Sequence, residues 1–215
     1  MKRRTLDIIF SAGAVGLAGL LLVLGLVLQN QADFAKSYVK DQLVQQRISF
    51  TPADKLTDEE KSSACIVTYA GEPLTTGKQA ECYANHYIAV HLGEVNDGKT
   101  YSETSTESRT AQAAADAATK ANSADAAALT AQAKVVSGKT DTLFRGETLR
   151  GLLLTSYGFS IFGERAMQAA YVAFAAAVLL LFAGIAGFVH AFTTPKDERI
   201  LVADSHHEEP PVPVG

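Results

Sequence analysis

The sequence predicts an all-α membrane protein in which two transmembrane helices bracket a small helical extracytoplasmic domain. Three observations carry this. Ala166 to Val189 contains no Asp, Glu, Lys, Arg or His, and Ile8 to Leu28 is uncharged too. At about 1.5 Å of rise per residue, a helix of either length crosses the roughly 30 Å hydrocarbon core of a bilayer. Between them, apolar residues recur at helical spacing, with capping residues at the expected helix starts. The expected divisions are an N-terminal segment 1–7, a first span 8–29, a helical domain 30–165 with an Ala-rich segment 111–136, a second span 166–192, and a tail 193–215.

Met1 to Leu28 has the outline of a signal peptide, a basic start and then an apolar run. That run exceeds the usual h-region of roughly 7–15 residues, and bulky, polar Leu28-Gln29-Asn30-Gln31 offers no small-x-small cleavage site. A retained anchor is therefore expected. Lys2, Arg3 and Arg4 place the N-terminus in the cytoplasm by the positive-inside bias, so the middle domain is outside and the second span returns the chain. Small residues fill both spans. Ala12 with Gly16, and Ala169 with Ala173 and Ala177, stack on helical faces where backbones can approach closely. Either Ala and Gly are simply common in spans, or these faces pack on each other or on a partner.

Phe34, Tyr38, Leu43 and Val44 continue the helical pattern, so the first span is expected to emerge as one long helix to Ile48. Thr51-Pro52 reads as a helix start, and Thr57 with Glu60 has capping-box spacing. Lys78 to Val95 reads as a helix, and Asn96-Asp97-Gly98-Lys99 as a turn. The Ala-rich segment has high helix propensity and few side chains worth burying, so exposed helices broken near Asn122-Ser123 are expected. Asp141 to Leu154 reads as an amphipathic helix with Leu143, Leu149, Leu153 and Tyr157 on one side. Tyr157, Phe159 and Phe162 suit the interfacial belt, and Thr193-Thr194-Pro195 ends the second span. The tail, with Glu208, Glu209 and several prolines, reads as disordered.

A formal charge of −4 without a basic block argues against nucleic acid as a partner. Cys65 and Cys82 are the only cysteines. On the outer side they are expected to pair, the alternative being two free thiols in a small core. His86 and His91 lie about 140° apart on a helix, a poor spacing for a zinc pair, and His206 and His207 fall in the tail. No phosphate loop, nucleophile elbow or haem-attachment run occurs, and neither span has an ionisable residue in its middle. No catalytic, cofactor or metal site is expected. Glu147 and Arg150, at i, i+3, are expected to pair, leaving Arg145 for a partner or a lipid headgroup. The residues expected to meet a partner are Arg145, Glu147, Arg150, Leu153, Tyr157, Ala169, Ala173, Ala177, Ala12 and Gly16.

Three runs carry a resemblance: Arg3-Arg4-Thr5-Leu6-Asp7 before the first span, Ala84-x-x-Tyr87-Ile88-x-x-His91-Leu92-x-Glu94-Val95-x-Asp97-Gly98-Lys99-Thr100-Tyr101-Ser102, and Leu143-Phe144-Arg145-Gly146-Glu147-Thr148-Leu149-Arg150-Gly151-Leu152-Leu153-Leu154 followed by Tyr157-Gly158-Phe159. Together they resemble a family of actinobacterial two-span membrane proteins. The label often attached to that family, aromatic ring-opening dioxygenase, implies an iron site of two His and a carboxylate, which His86 and His91 do not supply. The family is also similar to an accessory association factor of the cytochrome bcc–oxidase respiratory supercomplex, which carries no cofactor. The resemblance implies a non-catalytic accessory subunit whose partners are cytochrome bcc and terminal oxidase subunits and the lipid bilayer. The alternative is an extracytoplasmic sensor or ligand-binding protein, with an enzyme ranked last.

Overall fold

The structure, a computed structural model, describes residues 3–195. It is all-α, with two long apolar helices flanking a helical middle region. Helix α1 runs Arg3–Gln46, α2 Asp58–Lys61, α3 Ala64–Tyr69, α4 Gly77–Cys82, α5 Ala89–Val95, α6 Tyr101–Lys120 and α7 Ala126–Thr193. A π-helical segment, Tyr83–Ile88, joins α4 to α5. Among the described residues there is no sheet, and extended pairing is limited to an isolated antiparallel bridge between Ser49 and Pro73. Met1, Lys2 and the expected disordered tail from 196, with His206 and His207, lie outside the described residues.

The chain divides into two compact units, Met1–Asn30 with Ala166–Gly215, and Gln31–Arg165. In the first, α1 and α7 pair along small residues. Ser11, Ala18 and Gly25 are buried on α1, and Ala170, Ala177, Gly184 and Ala191 on α7. Both sets recur every seven residues, the period that keeps one face of a helix against its neighbour in a left-handed supercoil. A Cβ on Gly184 would lie 2.7 Å from the Val15 side chain and 3.2 Å from the Ser11 carbonyl oxygen. Ala173 and Ala177 are thus in the seam, as the small-residue spacing suggests, but Ala169, Ala12 and Gly16 are exposed. The seam follows a repeat of seven, whereas the i, i+4 row through Ala169 drifts off it.

The second unit holds a core of Val39, Leu43, Phe50, Leu56, Ile66, Leu74, Ile88, Leu92, Leu143 and Leu153. Leu149 is off this core at 36 % exposure, so the buried side of α7 runs through Leu143, Gly146, Arg150, Leu153 and Tyr157 instead. A Cβ on Gly146 would meet the end of the Leu92 side chain, so the glycine leaves Leu92 room to pack against α7. The Asp141–Leu154 stretch is not a separate helix, since α7 runs unbroken from the Ala-rich segment to Thr193. Pro52 caps only a 3-10 turn, Ala53–Lys55, and α3 is a helix that no capping signal announced. The Thr57–Glu60 capping box forms, with Thr57 N–H donating to Glu60 Oε2 at 2.9 Å. The Ala-rich helices break at 121–125, where Asn122 has φ 49°, yet Ala115 and Ala133 are buried. Alanine is small enough to let two backbones close together, so that segment is not simply exposed. Gly98, at φ +76°, makes the turn after α5, and its N–H donates to the Gly93 carbonyl at 2.8 Å.

Candidate functional site

Cys65 and Cys82 are bonded, with Cα atoms 6.1 Å apart, and this staples α3 to α4. Closing a loop of that length stabilises by about 3 kcal/mol in the chain-entropy picture. Cys82 is buried, and the Ser63 hydroxyl lies 3.4 Å from Cys65 Sγ.

Beside the staple, the π segment and α5 present Tyr83, Tyr87 and His91 as a row, Tyr83 stacked on Tyr87 and His91 tilted against Tyr87, with ring centroids 4.6 and 4.5 Å apart. Such π segments are frequent at functional positions. His91 Nδ1 lies 2.8 Å from the Tyr87 carbonyl, which can only accept, so Nδ1 carries the proton. Nε2 then faces Glu60 Oε1 at 3.8 Å. Glu60 is 3 % exposed, and its other oxygen caps α2. Burial, reinforced by Tyr87 and then Glu60, pushes the Tyr83 hydroxyl up to about 12. The sequence flagged His91 only as half of a poor metal pair. It missed Glu60 as a partner because nothing local links residues so far apart. His86 is exposed and does not join the row.

A second polar cluster ties three helices. Buried Asn96 donates from Nδ2 to Thr104 Oγ1 and to Glu107 Oε2, both at 3.1 Å. Its Oδ1 accepts from Lys139 Nζ at 2.8 Å. Lys99 Nζ donates to Glu107 at 2.9 Å. Lys99, then Asn96, hold the Glu107 carboxyl below its ordinary range. Every polar atom of the Asn96 side chain is thereby satisfied, which fixes the turn against α6 and α7. An open groove of about 640 Å³ borders this cluster, lined by Lys99, Glu107, Thr110, Leu129 and Gln132 among others.

The expected Glu147–Arg150 pair forms at 3.2 Å. Arg150 also turns inward, and its Nη2 donates to Asn85 Oδ1 at 3.3 Å. Asn85 in turn donates to Glu81 Oε1 at 2.8 Å. Arg150 Nε is buried without a hydrogen-bond partner among the described residues. Arg150 is therefore part of the domain's own packing, as are buried Leu153 and half-buried Tyr157. Arg145 is exposed and makes no ion pair among the described residues. Phe34, Tyr38 and Phe159 form an aromatic chain, with centroids 5.8 and 5.7 Å apart. Among the described residues, no three His, Cys, Asp or Glu side chains converge as a metal site.

Compared with known proteins, the chain matches no family model, no curated protein and no solved structure. What stands is a two-span, helix-bracketed membrane architecture with a disulfide in the intervening domain.

Proposed function

We propose that the chain is a non-catalytic accessory subunit of a membrane-protein assembly, with no cofactor of its own. The observation that carries this is the outward placement of Ala12, Gly16 and Ala169. The two spans bury a different set of small residues against each other, so these remain for a neighbouring helix to approach closely. The resemblance of the Ala84–Ser102 and Leu143–Leu154 runs supports a narrower reading, the actinobacterial cytochrome bcc–oxidase supercomplex, whose subunits would be the partners. The disulfide supports an oxidising, extracytoplasmic location for the middle domain, and Arg3 and Arg4 support cytoplasmic termini. Purification of that supercomplex in a gentle detergent, followed by mass spectrometry, should recover the chain. Its consistent absence would remove the respiratory assignment.

A ligand-binding receptor is the second reading, favoured by the open groove beside Glu107. A small molecule that raises the melting temperature saturably, and no longer does so in Gln132→Leu, would establish it in place of the first.

A further inference from the structure

Glu60 on α2 and His91 on α5 meet at 3.8 Å with two acceptors face to face. The Nδ1 proton of His91 is committed to the Tyr87 carbonyl, 2.8 Å away, so in the neutral ring Nε2 carries only a lone pair. Glu60 Oε1, opposite it, offers lone pairs as well. Neither atom can bond the other. The Glu60 side chain is nonetheless buried, and its Oε2 accepts from Thr57 N–H. A buried carboxylate oxygen turned toward a ring nitrogen that offers no proton is a costly arrangement unless something fills the gap.

Two fillers can be weighed. A metal ion would take both lone pairs but needs a third protein ligand, and among the described residues no three His, Cys, Asp or Glu side chains converge. A proton needs no third partner. In the charged ring both nitrogens donate, Nδ1 to the Tyr87 carbonyl and Nε2 to Glu60 Oε1. Contraction from 3.8 Å by about 1 Å brings the pair to the length of a charge-assisted hydrogen bond. The His91 side chain is 43 % exposed, so it has room to move and takes its proton from bulk water. The charged and titratable groups around it are engaged elsewhere or turned away. From the π segment, Tyr87 lies against the ring, Tyr83 stacks on Tyr87, and His86 is exposed. Lys61 on α2 pairs with Asp58, Glu147 and Arg150 on α7 pair with each other, and Glu94 on α5 itself is exposed.

We propose that Glu60 and His91 form a proton-operated latch that fixes α2 on α5, closed when His91 is charged and open when it is neutral. Helix α2 has four residues, too few to be stable by itself, so its place depends on such contacts and on buried Leu56 before it. A proton that adds a contact only in the folded domain stabilises the fold in acid, and that stability is lost as pH rises and the ring gives up its Nε2 proton. The latch lies wholly within the Gln31–Arg165 unit and is independent of the accessory-subunit reading.

The test compares melting temperatures of the full chain in detergent at about pH 8 and about pH 5.5, on either side of the ordinary histidine range. His91→Asn places an amide donor where Nδ1 was and leaves nothing at the Nε2 position. The advantage of wild type over His91→Asn should be about 2–4 °C larger at the acid pH. Glu60→Gln, with its oxygen kept on the Thr57 cap, turns an amide N–H toward Nε2. A neutral ring accepts that bond and a charged ring cannot, so the stability of Glu60→Gln relative to wild type should rise with pH instead. Hydrogen exchange of the amides at 58–63, corrected for the intrinsic rate, should be about fivefold slower at the acid pH in wild type and unchanged in His91→Asn. That arm stands even where Glu60→Gln does not fold. A difference between wild type and His91→Asn that ignores pH, or exchange that is equal at the two pH values, would overturn the latch. So would Zn2+ that raises the melting temperature of wild type at about pH 8 and not that of His91→Asn, since a metal would then fill the gap.

Discussion

Arg150 and Arg145 are the same residue type five positions apart on one helix, and their surroundings give them different work. Arg150 holds Glu147 on the surface and Asn85 across the domain. Its removal takes away the donor to the Asn85 oxygen, whereas Glu147 contributes only an exposed pair. Arg150→Ala is expected to cost about 1–3 kcal/mol of stability and Glu147→Ala less than about 1, by thermal unfolding in detergent. Equal losses would mean that Asn85 adds nothing. Tyr83 titrates against folding at high pH. Its folded value, about 12, lies above the ordinary 10.0. A raised value means that stability is fully present below the unfolded value and is lost as pH climbs through the folded one. Wild type should lose melting temperature between about pH 10 and 12, and Tyr83→Phe should lose less. Parallel decline of the two proteins would show that Tyr83 is not the group involved.

At the scale of elements, glycines and alanines decide how close helices come. Gly184 sits against Val15 and Ser11, while a side chain at Gly16 meets nothing within 4 Å. Gly184→Leu should destabilise the span pair by about 1–3 kcal/mol through overpacking, measured as a fall in melting temperature. Gly16→Leu should leave the isolated protein unchanged. A Gly184→Leu protein as stable as wild type would mean that the seam yields freely. The start of α6 shows a different control. Thr100 accepts from Glu103 N–H at 3.3 Å, and the Glu103 carboxylate accepts from Thr100 N–H at 2.8 Å. These bonds hold Glu103 below its ordinary value, so this cap is intact at neutral pH and weakens only in acid.

For the whole molecule, the question is which side of the membrane holds the stapled domain. A Cys introduced at Ser123, in the exposed turn between α6 and α7, tests this directly. It should react with a membrane-impermeant maleimide in intact cells. A Cys at Thr5 should react only after permeabilisation. The opposite pattern would invert the topology, and with it the reason for a disulfide.

The sequence by itself determined the features that composition and short-range spacing dictate. Uncharged runs of bilayer length mark the spans, Thr57-x-x-Glu60 marks a cap, Asn96 to Lys99 marks a turn, and Glu147 to Arg150 marks a pair. Each is decided within one or two helical turns, where geometry is fixed by the backbone. Only the tertiary structure decided which face of each helix is inside. Leu149 and Ala169 are as apolar as Leu153 and Ala173, yet they are exposed while the latter are buried. A half-residue difference between a step of 3.5 and one of 4 turns them away, and that period is set by the neighbouring helix. The Glu60–His91 approach, the Asn96 hub and the inward turn of Arg150 likewise join residues far apart in the chain. Such contacts carry no local signature, because burial creates the need for them and burial is a property of the assembled fold.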